Sequence, residues 1–281
     1  MSRNRVVAVI PARFASTRFP GKLLAEFHGH PLLEWVYRRA RQIEGVDRVI
    51  VATDDARIER VASEFGAEVR LTRPDHESGT DRIGEVFASL ESPPEFVLNL
   101  QGDEPLLPVD AVERMLAERA GHPDAVLTLV EPIRDEEEWR RPSVVKAALA
   151  RDGRVLYFSR APIPYPRSGS APSAVTGAEP GLAPFWRHVG IYGYPSTVLS
   201  RMVSLEPSPL ERIEGLEQLR WMEAGVSIVA LPCDGGSPGI DVPEDLERLM
   251  DRFPTKEAWE AACGRCSARK DVLDKSPKGG A

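Results

Sequence analysis

Long apolar runs are missing from this 281-residue chain. None approaches the roughly 20 residues that a membrane-spanning helix needs, and the N-terminus lacks the apolar core of an export signal. Both absences predict a cytoplasmic protein without membrane insertion. Cysteine is scarce: Cys233, Cys263 and Cys266 cannot build a disulfide framework. Cys263 and Cys266 have metal-like spacing, but a structural zinc needs about four ligands and there is no second pair. Net positive charge is absent too, since 36 basic against 43 acidic residues leave −7, which argues against nucleic acid and membrane surfaces as partners. An anionic substrate must then be met by a local basic site. No internal repeat is evident. What remains is an ordinary globular composition, 42% hydrophobic and 28% charged, with the length for one large domain or two smaller ones.

A local basic site stands at the start. The apolar run VVAVIP from Val6 to Pro11 passes directly into a polar loop holding Arg13, Arg18 and Lys22. Buried parallel strands read as continuous apolar runs, and open α/β sheets bind ligands beyond the carboxyl ends of their strands. Three cations there, spaced by small and hydroxyl residues, suit a polyanion such as a triphosphate. By itself such a loop reads more readily as a solvated basic surface.

The following segments alternate. His30–Gln42 is an amphipathic helix with Pro31 in its first turn, Arg48–Thr53 a buried strand, and a helix capped at Asp54 or Asp55 runs to Phe65. A short strand over Glu68–Leu71, a helix over Ile83–Leu90 and a strand over Phe96–Leu100 complete a βαβ rhythm, which predicts a mostly parallel, doubly wound sheet. From about Asp124 the rhythm changes. Val126–Val130, Val144–Leu149 and Val155–Phe158 read as strands without helices between them, the last two joined by a turn at Arg151-Asp152-Gly153. Pro162–Pro184 is a long irregular loop, of the kind that is functional or mobile. His188–Tyr194 is strand-like, Ser196–Ser204 helical, and Leu210–Ala224 one longer helix. Val226–Leu231 returns to the sheet, and Pro243–Met250 is a helix with proline at its start. The chain after Pro254 is polar, with its last ~15 residues frayed.

Two aspartates follow strand ends at the same sheet edge as the basic loop, Asp103 in NLQGDEP and Asp241 in SPGIDVPEDL. Two carboxylates together with substrate phosphates are a common way to hold Mg²⁺; equally, each could cap the helix that follows it. The stretch HESGTDR, His76 to Arg82, offers an anion or base-edge site at a helix start, or an ordinary cap by Ser78 or Thr80. Arg160, His188, Glu217 and Gln218 would suit a sugar carboxylate and its hydroxyls, although pattern alone favours solvated faces. Tyr157, Tyr192 and Tyr194 read as core or interface residues.

In order along the chain, IPARFASTRFPGK, VATDD, HESGTDR, VLNLQGDEP, LYFSRAPIPY, RHVGIYGY, LERIEGLEQLR and GIDVPEDLERL resemble the 3-deoxy-manno-octulosonate (Kdo) cytidylyltransferases. The matching segments run from Val6 to about Asp251. The resemblance implies an α/β, glycosyltransferase-A-like nucleotidyltransferase with a mostly parallel doubly wound sheet and a smaller sugar-binding and dimerisation region. It implies a homodimeric enzyme that forms CMP-Kdo and pyrophosphate from CTP and Kdo with Mg²⁺ for lipopolysaccharide synthesis. Residues 1–255 would be the single catalytic domain, with the smaller region at about 124–210, and residues 256–281 a partly disordered polar tail. Carried onto this chain, Arg13, Ser16, Thr17, Lys22, Ser78, Arg82 and Gln101 would meet the nucleotide. Asp103 and Asp241 would hold the metal, and Arg160, His188, Glu217 and Gln218 the sugar. Lys22, Arg13 and Asp103 would carry catalysis, with Arg18 bracing the loop. The chain departs from the family pattern at Val242, where threonine is common, and at Phe19 and Leu23. Two alternatives are a cytidylyltransferase for another acidic sugar (8-amino-Kdo or a nonulosonic acid) and a non-catalytic nucleotide-sugar-binding protein.

Overall fold

The computed structural model describes residues 5–16, 18–76, 78–167, 185–234 and 239–263. Its first half alternates strand and helix. In chain order come β1 (Val6–Ala12), the small hairpin β2 (Glu26–Phe27) and β3 (His30–Pro31), α1 (Leu32–Ala40), β4 (Arg48–Thr53), α2 (Ala56–Glu64), β5 (Glu68–Leu71), α3 (Gly79–Ala88), β6 (Phe96–Asn99) and α4 (Val109–Glu118). The second half adds β7 (Ala125–Pro132), α5 (Glu136–Arg140), β8 (Lys146–Leu149), β9 (Val155–Ser159), β10 (Trp186–Pro195), α6 (Ser196–Met202), α7 (Pro209–Glu214), α8 (Gln218–Glu223), β11 (Ser227–Pro232), α9 (Pro243–Arg252) and α10 (Lys256–Ala262).

The main sheet runs β11-β7-β10-β6-β1-β4-β5. Parallel pairing joins β6, β1, β4 and β5, and also β11 to β7, whereas β10 lies antiparallel to both β6 and β7. All strands on this path except β10 therefore share one direction. Reversal of β10 has a functional consequence, because its first residues meet the carboxyl ends of its neighbours. The β8–β9 hairpin joins the sheet there, through Trp186 and Arg187. The region read as a smaller unit at about 124–210 thus contributes β7 and β10 to the main sheet.

Alternation along β1 explains why the sheet is buried on both faces. Val6, Ala8, Ile10 and Ala12 enter one apolar layer with α1, α2 and α4, while Val7 and Val9 enter the other with α3, α6 and α8.

Several elements depart from the sequence reading. Helix α3 begins at Gly79, ahead of the expected Ile83, because Ser78 and Asp81 form a reciprocal capping box. A short helix, α5, interrupts the strands after β7, capped by Asp135 with an acidic first turn, Glu136 to Glu138. The single helix expected over Leu210–Ala224 is broken in two at Gly215, whose φ of 62° is left-handed and ends α7. Its apolar periodicity continues across the break, which hid the break from pattern reading. The start of the supposed tail is also ordered. In α10 Trp259 is fully buried and packs edge-on against Phe27, Trp35 and Phe253 at 4.8, 5.7 and 5.3 Å. Residues 264–281, with Cys266, lie outside the described residues, as does 168–184 of the long loop.

Candidate functional site

The basic loop is shaped by its own backbone. Ser16 and Gly21 both donate their N–H to the Phe14 carbonyl at 3.0 Å, and the Ser16 hydroxyl accepts from Phe19 N at 3.3 Å. Gly21, at φ 71°, then turns the chain into a 3₁₀ turn that carries Lys22. A Cβ at Gly21 would come within 3.0 Å of the Phe14 ring. Gly21→Ala should therefore cost about 1–2 kcal/mol of stability through the left-handed backbone alone. It should also lower turnover several-fold by shifting Lys22; thermal unfolding and steady-state kinetics on one preparation check both. Thr17 lies outside the described residues.

Lys22 joins the two aspartates. Its ammonium donates to Asp103 Oδ2 and, at 3.2 Å, to Asp241 Oδ1. Arg18, expected only to brace the loop, pairs with Asp241 Oδ2 at 3.1 Å. The Ile240 N–H donates to the Asp103 carbonyl at 2.9 Å, which fastens the two acidic loops side by side. Neither carboxylate caps a helix. The cap of α9 falls to Asp245, whose Oδ2 accepts from the backbone N–H of Asp241 and Val242 at 2.8 and 3.0 Å. Asp103 points at Lys22, and α4 starts only at Val109. Burial opposes the charge on Lys22, but the adjoining Asp103 and Asp241 outweigh it and raise its pKa. Lys22 is a fixed cation between two hard oxygen donors, and those donors suit Mg²⁺ once substrate phosphates complete the shell. Among the described residues no group of three or more His, Cys, Asp or Glu side chains could hold a metal alone.

A cleft of about 330 Å³ opens from these aspartates, with His188, Glu217 and Gln218 on its far side and Gln101 on its wall. A β-bulge in β10 between Val189 and Tyr192 forms that wall. Its carbonyls are met by side chains: Gln101 Nε2 donates to Gly190 O at 2.7 Å, and the Thr128 hydroxyl donates to Ile191 O at 2.8 Å. With its one hydrogen committed, Thr128 accepts from His188 Nε2–H at 3.0 Å, which leaves His188 Nδ1 as an acceptor.

Burial pushes the His188 imidazole down to about 3 from 6.5, so it is neutral at working pH and offers no positive charge to a sugar carboxylate. Between those two values the unfolded chain binds more protons than the folded one, so stability falls as pH drops from 6.5 toward 3. His188→Gln, which keeps a donor for Thr128, should flatten that loss; denaturant midpoints at pH 7 and pH 5 compare the two proteins.

The other expected ligands stand apart from the cleft. Arg160 directs its guanidinium to the carbonyls of Glu214, Gly215 and Pro142 at 2.7, 3.3 and 3.1 Å, tying β9 to the end of α7. Arg82 is fully buried, bonded to the Thr72 hydroxyl and paired with Asp54 at 3.3 Å. Arg13 donates to the carbonyls of His76 and Ser78 at 2.6 and 2.9 Å. The Ser78 hydroxyl accepts from Asp81 N in the cap of α3. Glu104 is a cleft residue that sequence reasoning passed over, although it adjoins Asp103 in the same motif; burial and the Asp103 charge push its carboxyl up to about 8.

A family model described as cytidylyltransferase matches residues 7–228. A 3-deoxy-manno-octulosonate cytidylyltransferase from Syntrophotalea carbinolica is 47% identical over 246 residues, 87% of this chain and 96% of that protein. Another from Halorhodospira halophila is 47% identical over 260 residues, covering 90% and 98%. Among solved structures, CMP:2-keto-3-deoxy-manno-octonic acid synthetase complexed with CTP superposes with a TM-score of 0.79 at 40% identity, covering 90% of this chain and 99% of that one.

Proposed function

The chain belongs to the 3-deoxy-manno-octulosonate cytidylyltransferase family, and from that premise we propose that it joins CTP and Kdo into CMP-Kdo with release of pyrophosphate. The observation that carries this reading is the meeting of Asp103 and Asp241 on Lys22, beside the basic loop and at one end of a polar cleft. In-line attack of the sugar anomeric hydroxyl on the α-phosphorus needs positioning and charge neutralisation more than covalent help from the protein. Asp103 and Asp241 would hold Mg²⁺. When bound, that ion supplies charge neutralisation at the phosphates and acidifies the attacking hydroxyl. Lys22, held protonated by its neighbours, and Arg13 would balance charge on the departing pyrophosphate. His188, as a neutral acceptor, and Glu217 with Gln218 would address sugar hydroxyls.

We place the reaction in the cytoplasm, where CTP is made. We also propose a homodimer that covers Leu156 on β9 and Ile213 on α7, both more than half exposed. These two elements are locked together by the bond from Ser159 to Glu214 at 2.6 Å. Sedimentation equilibrium tests it. The function itself is tested by following pyrophosphate from CTP and Kdo with and without Mg²⁺. Magnesium-dependent release is expected. Release with a different acidic sugar but not with Kdo would replace the sugar and keep the chemistry.

A further inference from the structure

Glu217 is a carboxylate lining the cleft beside His188 and Gln218, and its position is set by groups that the reaction itself does not use. It stands at the start of α8, just after the break at Gly215. Thr80, in the first turn of α3, donates its hydroxyl to Glu217 Oε1. Thr80 Oγ1 lies 3.3 Å from the Tyr194 hydroxyl, and Asn99 Nδ2 lies 3.3 Å from that same hydroxyl. With Asn99 Nδ2 facing Tyr194 and Glu217 ionised, the donors fall in one direction. An amide nitrogen only donates, so Asn99 gives to Tyr194. The Tyr194 hydrogen then goes to Thr80, and the Thr80 hydrogen to Glu217. All three donors are nearly sealed from water, with Thr80 at 3%, Tyr194 at 0% and Asn99 at 2% exposure. Bonds in such a file polarise one another, and none can be replaced by solvent without opening the core.

We propose that Thr80 is a positioning residue for the sugar, with Asn99 and Tyr194 behind it, and that this chain holds Glu217 as a hydrogen-bond acceptor facing the cleft. Thr80 takes one oxygen of Glu217 and the Ser78 hydroxyl also bonds the carboxylate, so its rotation is checked and its remaining lone pairs are left to meet a sugar hydroxyl. Thr80 lies in the stretch that sequence reading gave to an anion, a base edge or a helix cap; its hydroxyl serves the other substrate. Ser78 also bonds Glu217, but it caps α3 and carries the carbonyl that receives Arg13, so its loss would disturb both substrates. Thr80 isolates the effect.

The inference rests on the reading of Glu217 as a sugar ligand, and the assay separates the two. Thr80→Val keeps shape and loses the hydroxyl. Its KM for Kdo should rise about tenfold, the size of one lost hydrogen bond, with KM for CTP within about twofold of the parent. Thr80→Ser should restore the parent values, and Thr80→Val added to Glu217→Gln should raise KM for Kdo no further. If Thr80→Val does not fold, Tyr194→Phe should give a smaller rise with the same selectivity for Kdo. Equal changes in both KM values, or no rescue by serine, would make Thr80 merely structural and overturn the inference. Failure of the parent enzyme to turn over Kdo would instead overturn the functional reading, and this inference with it.

Discussion

Asp103→Asn should lower turnover by a factor on the order of 10² to 10³, the loss seen when one preorganised electrostatic contact is removed from a reacting centre. The substitution is nearly isosteric, and the Asp103 backbone carbonyl would still hold Ile240, so the loop around Asp241 should stay in place. What changes is charge: Lys22 loses its nearest counterion, and the proposed metal site would lose one of its two carboxylates. The defect should be partly relieved at high Mg²⁺ concentration, because binding and not folding is impaired. Pyrophosphate release measured across a Mg²⁺ series, with thermal unfolding as a control, checks it. Turnover near the parent value at ordinary Mg²⁺ would remove Asp103 from the metal site.

Lys22→Met has a less obvious signature. In the resting enzyme the ammonium is shared by Asp103 and Asp241, and only 13% of its side chain is exposed. Removing it leaves two carboxylates that repel each other, with Arg18 still paired to Asp241 at 3.1 Å. Turnover should fall by about 10² or more if this cation balances the leaving phosphates as proposed. Affinity for a divalent cation in the absence of nucleotide should rise, because the one cation shared by both carboxylates has been deleted, leaving only Arg18 on Asp241. Calorimetric titration with Mn²⁺ or Mg²⁺ on both proteins measures this directly. Weaker divalent binding in Lys22→Met would mean that Lys22 organises the two aspartates and does not compete for them.

Much of this was legible beforehand, for physical reasons that can be named. The inner strands of the parallel core are short continuous apolar runs, and Arg48–Thr53 and the edge strand Glu68–Leu71 stand where the sequence reading put them. The loop after β1 and the loop holding Asp103 were readable because charged groups in the loops beyond the carboxyl ends of parallel strands gather at one sheet edge. Pattern failed wherever one residue overrode a period. Gly215 ended a helix whose apolar spacing continued past it, and Trp259 anchored a segment whose average composition looked like a tail.

The sequence by itself determined the class of sheet, the edge that carries the candidate site, and the charged residues Lys22, Asp103 and Asp241 that meet there. These follow from local hydrophobicity and from the direction of parallel strands. Only the tertiary structure decided which partners those groups take. Arg82 and Arg160 have the same charge as Lys22, but Asp54 and a set of backbone carbonyls take up their guanidinium groups away from the cleft. Asp241 was freed from capping by Asp245, four residues on, and so became available to Lys22. Thr80 reaches Glu217 only because α3 and α8 pack on the same face of the sheet. Hydrogen bonds are satisfied by whatever the fold brings within about 3 Å, and distance along the chain carries no information about that.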